Sequence, residues 1–370
     1  MQVFPLSLLI LFGLSLVVQL FWYLVRFGRV ARAKPLPVAS KLPPVSIIVS
    51  AHNASGLLQK LIPALLEQQY PEFEIVVVDD RSTDYTDTWL SEQQLKDRRV
   101  RHVRIDNTPA HFTAKKYAIT MGIKHARYDA LILTDADCVP NSPAWLANMV
   151  SPLANGKKIS LGYSPMYAKP GLLNALIRFE TVLTALHYLG AALGKRPYMG
   201  VGRNLAYSKA LFLEKKGFLS HRNVMGGDDD LFVNKNATSE NTQAIVGADS
   251  LVWTTAKENW SSWWRQKRRH TTAGKYYRWS TRLGLGFFLL AQWLFWITFA
   301  LLLSLGIEPI WVLACLVLKE IVLYTIVCSA TKKLGDSFCP WHLFLLEILL
   351  MLFQTVVGLS VLFSKPSSWK

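Results

Sequence analysis

The chain has 370 residues, of which 51% are hydrophobic and 18% charged, and a formal net charge of +16. Its positive mean hydropathy excludes an ordinary soluble protein, and its charge content excludes a bare membrane bundle; the length allows about two or three structural units. The basic excess fits anionic lipid or an anionic substrate, and no nucleic-acid motif occurs, so nucleic acid is not an expected partner.

Phe4 to Val25 carries no charge, over roughly the twenty residues that cross a bilayer. A cleaved signal peptide would place basic residues first. Here Arg26, Arg29, Arg32 and Lys34 follow the apolar run, which predicts an uncleaved helix with its C-terminal end inside. The stretch "AKPLPVASKLPP" reads as a Pro-rich linker. From Val45 to about Trp260 the composition is that of a soluble domain. "VSIIVSAHN", "EIVVVDD" and "DALILTDADC" are apolar runs that end in polar residues, the pattern of buried parallel strands. Between the first two, Leu58, Leu61, Ile62, Leu65 and Leu66 recur at helical spacing. That is a β-α-β unit, whose ligands bind beyond the C-terminal strand ends. Gly171 to Gly194 reads as a helix, either lying on the membrane surface or buried in the core.

After Arg282 three more apolar stretches follow: Leu283 to Ile307, Ile310 to Ala330 and Trp341 to Phe363. Lys275, Arg278, Arg282, Lys332 and Lys333 put the central domain inside, whereas Lys365 and Lys370 would lie outside. The last stretch is therefore either a span or an interfacial segment. Lys319 and Glu320 fall mid-span, where charged residues face a bundle interior. The cysteines Cys138, Cys315, Cys328 and Cys339 show no paired spacing. This argues against a disulfide framework or zinc site, and for a reducing compartment.

Four acidic or basic clusters carry the chemistry. In "VVVDDRSTD", Asp79 and Asp80 end a strand, while Ser82 and Asp84 suit a helix cap. In "LILTDADC", Asp135 and Asp137 are spaced to offer oxygens to one hard cation, with substrate phosphates completing its shell. In "GGDDDLFVN", Asp228, Asp229 and Asp230 follow two glycines; a carboxylate here suits a general base. In "WSSWWRQKRRHTTAGKYYRW", Arg and Lys alternate with aromatics, which fits an interfacial belt or a diphosphate-binding surface.

In this order the motifs resemble the family-2 inverting glycosyltransferases, in the membrane-bound branch with cellulose, chitin and hyaluronan synthase-like enzymes. The resemblance implies an α/β GT-A fold, a Rossmann-like nucleotide-diphospho-sugar transferase domain. That domain, 45–259, would sit between a transmembrane helix (1–25) with its linker (26–44) and an interfacial segment (260–282). A C-terminal membrane region (283–370) with about three spans would complete the chain. It implies donor contacts from Asp79, Asp80, Lys115, Lys116, Asp135, Gln266, Arg268 and Arg269. The acceptor would meet Gly202, Asn204 and His270, and Mg²⁺ or Mn²⁺ would lie on Asp135 and Asp137. Aligned on Asp230-Leu231, the base falls on Asp228, with Asp229 the alternative and Gly227 where relatives carry Glu. Like-charge repulsion from Asp229 and Asp230 is expected to raise the Asp228 pKa. His270 stands where processive members carry Trp. The implied partners are a nucleotide-diphosphate sugar, a lipid-linked or glycan acceptor and membrane lipids. The implied location is a bacterial inner membrane, with the catalytic domain cytoplasmic. A processive polysaccharide synthase and an inactive membrane scaffold or transporter are the competing readings.

Overall fold

β1 (Val45–Ala51) and β2 (Phe73–Asp80) pair in parallel from Val45–Phe73 to Ala51–Asp79 and are buried almost throughout. Their β-branched side chains serve two cores. A computed structural model, which describes residues 3–363, places them at the centre of a seven-stranded mixed sheet. Its order is β3-β2-β1-β4-β7-β6-β8, with β3 (Val100–Ile105), β4 (Ala130–Asp135), β6 (Ile159–Leu161), β7 (Leu205–Ser208) and β8 (Thr242–Ala244). β7 runs antiparallel to both of its neighbours. The register brings Ala51, Asp79 and Asp135 to one edge. A two-stranded ribbon of β5 (Cys138–Pro140) and β9 (Val252–Thr254) lies just beyond that edge.

On one face Ile47 and Val49 pack against α3 (Ser55–Leu66) and α6 (Trp145–Ala154). On the other, Ile48 and Val76 meet α5 (Ala114–His125). There Gly122 is obligatory for close approach: an added Cβ would stand 2.8 Å from the Ile48 side chain. Each fully buried aliphatic side chain contributes about 1.5–3 kcal/mol. α4 (Thr86–Lys96), α8 (Lys209–Glu214) and α9 (Asp230–Asn236) complete the domain.

The second core does not stop at the sheet. It continues through α7 (Leu172–Leu193) into the apolar helices. Of the two readings for this segment, the buried one holds: its inward residues pack between the domain and the N-terminal helix. That helix comprises α1 (Val3–Phe21), a π-helical segment (Trp22–Phe27) and α2 (Gly28–Arg32). It therefore runs past the expected end at Val25. Tertiary packing explains the extension, because Phe27 stands edge-on to His187 and Gly190 leaves room for the Arg26 carbonyl.

α11 (Trp279–Ser304) runs antiparallel to α1, with Phe12 stacked on Phe295. α12 (Pro309–Leu334) and α13 (Leu343–Phe363) follow. With the N-terminal helix and α7, these make five helices among the described residues that are long and apolar enough to cross a membrane. α13 does not lie along α11. Glu347 meets Gln292, and Thr355 meets the adjacent Trp293; eight residues of helix, about 12 Å, thus pass one level of α11. Lys365 and Lys370 lie outside the described residues. One expectation is corrected. Cys328, near the end of α12, is joined to Cys339 in a disulfide, with Cα atoms 5.0 Å apart. The loop after α12 folds back onto it, where Thr331 donates to the Phe338 carbonyl, and spacing alone does not report that return.

Candidate active site

Lys115 and Lys116 open α5 side by side, and neighbouring helical positions point about 100° apart. Only one enters the cleft. Lys115 Nζ lies 2.9 Å from Asp135 and 3.4 Å from Asp228. Burial alone would lower its pKa, but Asp135, Asp228 and Asp229 together hold it above the usual lysine value. Lys116 turns the other way. It is buried, and its ammonium donates to the carbonyls of His221 (2.7 Å) and Val224 (2.6 Å). Burial lowers its pKa to about 8, against the opposing pull of Asp228, Asp230 and Asp229. The expectation of a donor contact from Lys116 is thus corrected to a tether on the loop before the carboxylates.

That loop explains the acidic triplet. Gly226 and Gly227 have φ of 85° and 76°, a region that costs other residues roughly 1–2 kcal/mol. A Cβ at Gly227 would strike the Leu231 side chain at 2.4 Å. The loop conformation thus accounts for a glycine where relatives carry Glu. The three carboxylates then diverge. Asp228 is buried beside Lys115. Asp229 caps α9, accepting from Asp230 N (2.8 Å), and also accepts from Gly202 N (2.6 Å). Asp230 accepts from Tyr277 Oη (2.6 Å) and its own neighbour Leu231 N (2.8 Å).

Their pKa values separate accordingly. Burial would raise Asp228, but Lys115 and Lys116 overcome it and hold the carboxyl below the usual range. Burial and then Asp228 raise Asp229. Burial and then Asp229 push Asp230 up to about 7, with Tyr277 opposing. The expectation that Asp228 is raised is therefore wrong. Lys115 lies against Asp228, the Lys116 charge acts on it from behind the loop, and its acidic neighbours bear the repulsion.

Asp135 is half-buried at the end of β4, and Asp137 is exposed in the following turn. The Asp137 carbonyl accepts from Thr254 Oγ1 of β9 (3.2 Å), which fixes the turn. The pair therefore presents open carboxylate oxygens, the donor set a hard divalent cation takes. Asp79 does not face the cleft: it is fully buried, with Oδ1 accepting from Ser82 N at 3.1 Å. Asp80 is held by Arg81 (2.8 Å), and its carbonyl lies 2.6 Å from His52 Nδ1. Asp79, Asp87 and His102 also converge within 4.8 Å. Arg104 already reaches into this cluster, paired with Asp79 (3.5 Å) and with Asp87.

α10 (Trp260–Gly274) begins at Asn259, whose side chain accepts from Ser262 N (2.9 Å). It carries Gln266, Arg268 and Arg269 half-buried and His270 exposed. Burial lowers the Arg269 pKa, while Asp228, Asp135 and Asp229 counter it, so this guanidinium feels all three cleft carboxylates. Thr272 Oγ1 donates to the Met225 and Arg269 carbonyls, which closes the helix over the glycine loop. On the acceptor side, Gly202 reaches Asp229 through its N–H. Asn204 does not line the cleft. It is fully buried, accepting from Trp145 Nε1 (3.0 Å) and donating to the Tyr163 (2.7 Å) and Ser250 (2.8 Å) carbonyls. Tyr277 and Glu180, which pairs with Lys267, escaped the sequence reading; no spacing rule links them to their partners.

A Rossmann-like half-sheet with two carboxylates at its edge, a lysine between strand and loop, and a buried aspartate opposite has the arrangement of a GT-A fold. Residues 46–205 match the family described as Glycosyl transferase family 2. The chain is 25% identical over 255 residues to the probable glycosyltransferase YdaM of Bacillus subtilis, covering 64% of this chain and 56% of that one. Over 91 residues it is 33% identical to an Escherichia coli enzyme, the UDP-Glc:alpha-D-GlcNAc-diphosphoundecaprenol beta-1,3-glucosyltransferase WfaP, covering 25% of this chain and 35% of that one. The chain thus spans about half the length of the first relative and about a third of the second. The mannosyltransferase PcManGT from Pyrobaculum calidifontis, solved with GDP-Man and Mn²⁺, shares the fold with a TM-score of 0.65 at 17% identity, over 98% of this chain and 99% of that one.

Proposed function

We propose that this protein is a membrane-bound inverting glycosyltransferase that moves a sugar from a nucleotide-diphosphate donor to a lipid-linked or glycan acceptor. The observation that carries the reading is Lys115 held between Asp135 and Asp228. It couples a carboxylate suited to the donor side with one suited to the acceptor side. Asp135 and Asp137 are the residues to hold Mg²⁺ or Mn²⁺; when bound, the ion neutralises charge developing on the leaving diphosphate. The complex of the archaeal neighbour with Mn²⁺ supports a divalent ion.

The acceptor hydroxyl oxygen attacks the anomeric carbon opposite the diphosphate, whose C–O bond breaks with its electron pair. Asp228 takes the hydroxyl proton. Its lowered pKa keeps it ionised before the acceptor arrives, and the proton becomes acidic as the new bond forms. Lys115 and Arg269 add positive charge at the donor side. Asp229, fixed to Gly202 and the α9 cap, serves better as a loop strut than as the base. The diphosphoundecaprenol acceptor for which the Escherichia coli relative is named supports a lipid-linked acceptor. The helices support a membrane location, with the basic residues flanking them favouring a cytoplasmic catalytic domain.

Purified full-length protein, a panel of sugar nucleotides, Mg²⁺ or Mn²⁺ and lipid-phosphate acceptors test the reading. Turnover with one donor and inversion at its anomeric carbon are expected. Retention of configuration would overturn the mechanism, and a ladder of long products would replace single transfer by polymerisation.

A further inference from the structure

Charged groups within an apolar helical layer are costly and carry a role. Four helices bring such groups together here. Glu347 of α13 accepts from Tyr23 Oη of the N-terminal helix (2.8 Å), from Gln292 of α11 (3.4 Å) and from the fully buried Lys319 of α12. Lys319 also holds Glu320 at 2.7 Å. Tyr23 Oη also lies 3.2 Å from Gln19 Oε1. One carboxylate thus fixes where α13 crosses the other helices. Nothing in the transfer chemistry uses it directly.

α13 has a second side. Phe353 stacks on Trp263 of α10, with ring centroids 3.9 Å apart and planes 1° from parallel. The Trp263 indole N–H donates to Glu180 (3.3 Å), and Lys267, one turn on, pairs with the same carboxylate (2.6 Å). From there α10 runs to the catalytic loop. Thr272 donates to the Met225 carbonyl (3.3 Å), and the Arg269 carbonyl lies against Gly226. Just past the helix end, Tyr277 holds Asp230.

We propose that Glu347 is a positioning residue for the transfer: it seats α13, α13 seats α10, and α10 sets the loop that presents Asp228. The inference rests on the transferase reading only for its consequence in turnover. The Asp228 loop follows glycines of positive φ and is held from outside by Lys116, Thr272 and Tyr277. Its order is therefore imposed by neighbours and is sensitive to their placement.

The test is amide hydrogen exchange on the full-length protein in nanodiscs. Glu347→Gln is expected to raise exchange of residues 224–231 and 263–274 about tenfold, with β1 and β2 unchanged. Phe353→Ala is expected to give the same pattern, and the double variant no more than either single, because both lie on one path. Where Glu347→Gln does not accumulate, Tyr23→Phe removes one donor to the same carboxylate and is read in the same way. Wild-type exchange at 224–231, or effects of the two substitutions that multiply, overturns the proposal. With the sugar nucleotide that supports turnover, kcat falls and its KM rises, since α10 carries Arg269 on the donor side as well as the contact to the Asp228 loop. Because exchange needs no donor, a protein inert to every sugar nucleotide would refute the transferase reading and leave the positioning result intact.

Discussion

Lys115 Nζ stands 3.4 Å from Asp228 and 2.9 Å from Asp135, so one ammonium links the end of a central strand to a loop formed far later in the chain. Its neighbour Lys116 is spent on two backbone carbonyls of the segment leading into that same loop. The two lysines thus predict opposite phenotypes. Lys115→Met is expected to lower kcat/KM by about 10²–10³, the scale of losing one donor at a developing anion, beyond any loss of stability from leaving Asp228 without its cation. Lys116→Met leaves buried carbonyls unpaired and is expected to cost about 1–3 kcal/mol in chemical denaturation.

The carboxylate triplet separates in the same way. Asp228→Asn is expected to reduce kcat by about 10²–10⁴ while binding of the nucleotide diphosphate, followed by calorimetry, holds. Asp229→Asn is expected to retain more turnover and to lose stability, because it removes a charged cap and the acceptor for Gly202 N. Equal turnover in wild type and Asp228→Asn would reject Asp228 as the base.

Asp230 makes stability depend on pH. Its carboxyl titrates near 7 in the fold against 3.8 as an ordinary group. Between about pH 4 and pH 7 the folded protein therefore keeps a proton that the unfolded chain has lost. Stability falls as pH rises across that window. Thermal unfolding of wild type and Asp230→Asn at pH 4.5 and pH 7.5 measures this, each pH standing about half a unit inside or outside the window. The Tm of wild type is expected to drop more than that of the variant; parallel drops would show that Asp230 is not the group responsible.

Gly227 offers a test in which the residue usual in relatives is the harmful one. Gly227→Glu places a side chain at φ 76° with a Cβ 2.4 Å from Leu231. A loss of about 1–3 kcal/mol for the strained backbone, or more with the contact, is expected in denaturant unfolding. A stabilised variant would mean that the loop adopts another conformation.

Metal dependence is a further separable property. Chelation is expected to abolish turnover and Mg²⁺ or Mn²⁺ to restore it, with the unfolding midpoint little moved, because Asp135 keeps its Lys115 partner without an ion. Asp137→Ala is expected to need a higher ion concentration. An unaltered ion requirement in that variant would remove Asp137 from the metal site.

Strand runs, the apolar spans and the order of the acidic motifs were legible because each is a local pattern: alternation, length or adjacency along the chain. Asp135 and Asp137 could be read from a strand that ends in open carboxylates, and the resemblance placed Asp228 on the loop before α9. The failures share one cause. Lys116 and Asn204 look like their neighbours in sequence, yet helix phase turned one inward and a buried indole captured the other. Asp79 looks like Asp80 and was folded into its own turn.

The sequence by itself determined that an α/β domain is joined to apolar helices, since hydrophobic periodicity and polar strand ends are written residue by residue. Tertiary structure decided the rest. It chose which lysine faces the carboxylates and which of three aspartates is held below the usual carboxylate range. It also closed the Cys328–Cys339 link and set Glu347 against Lys319, Tyr23 and Gln292. Those outcomes depend on distances between groups remote in the chain, and both Coulomb energies and burial are functions of distance in space rather than of separation along the sequence.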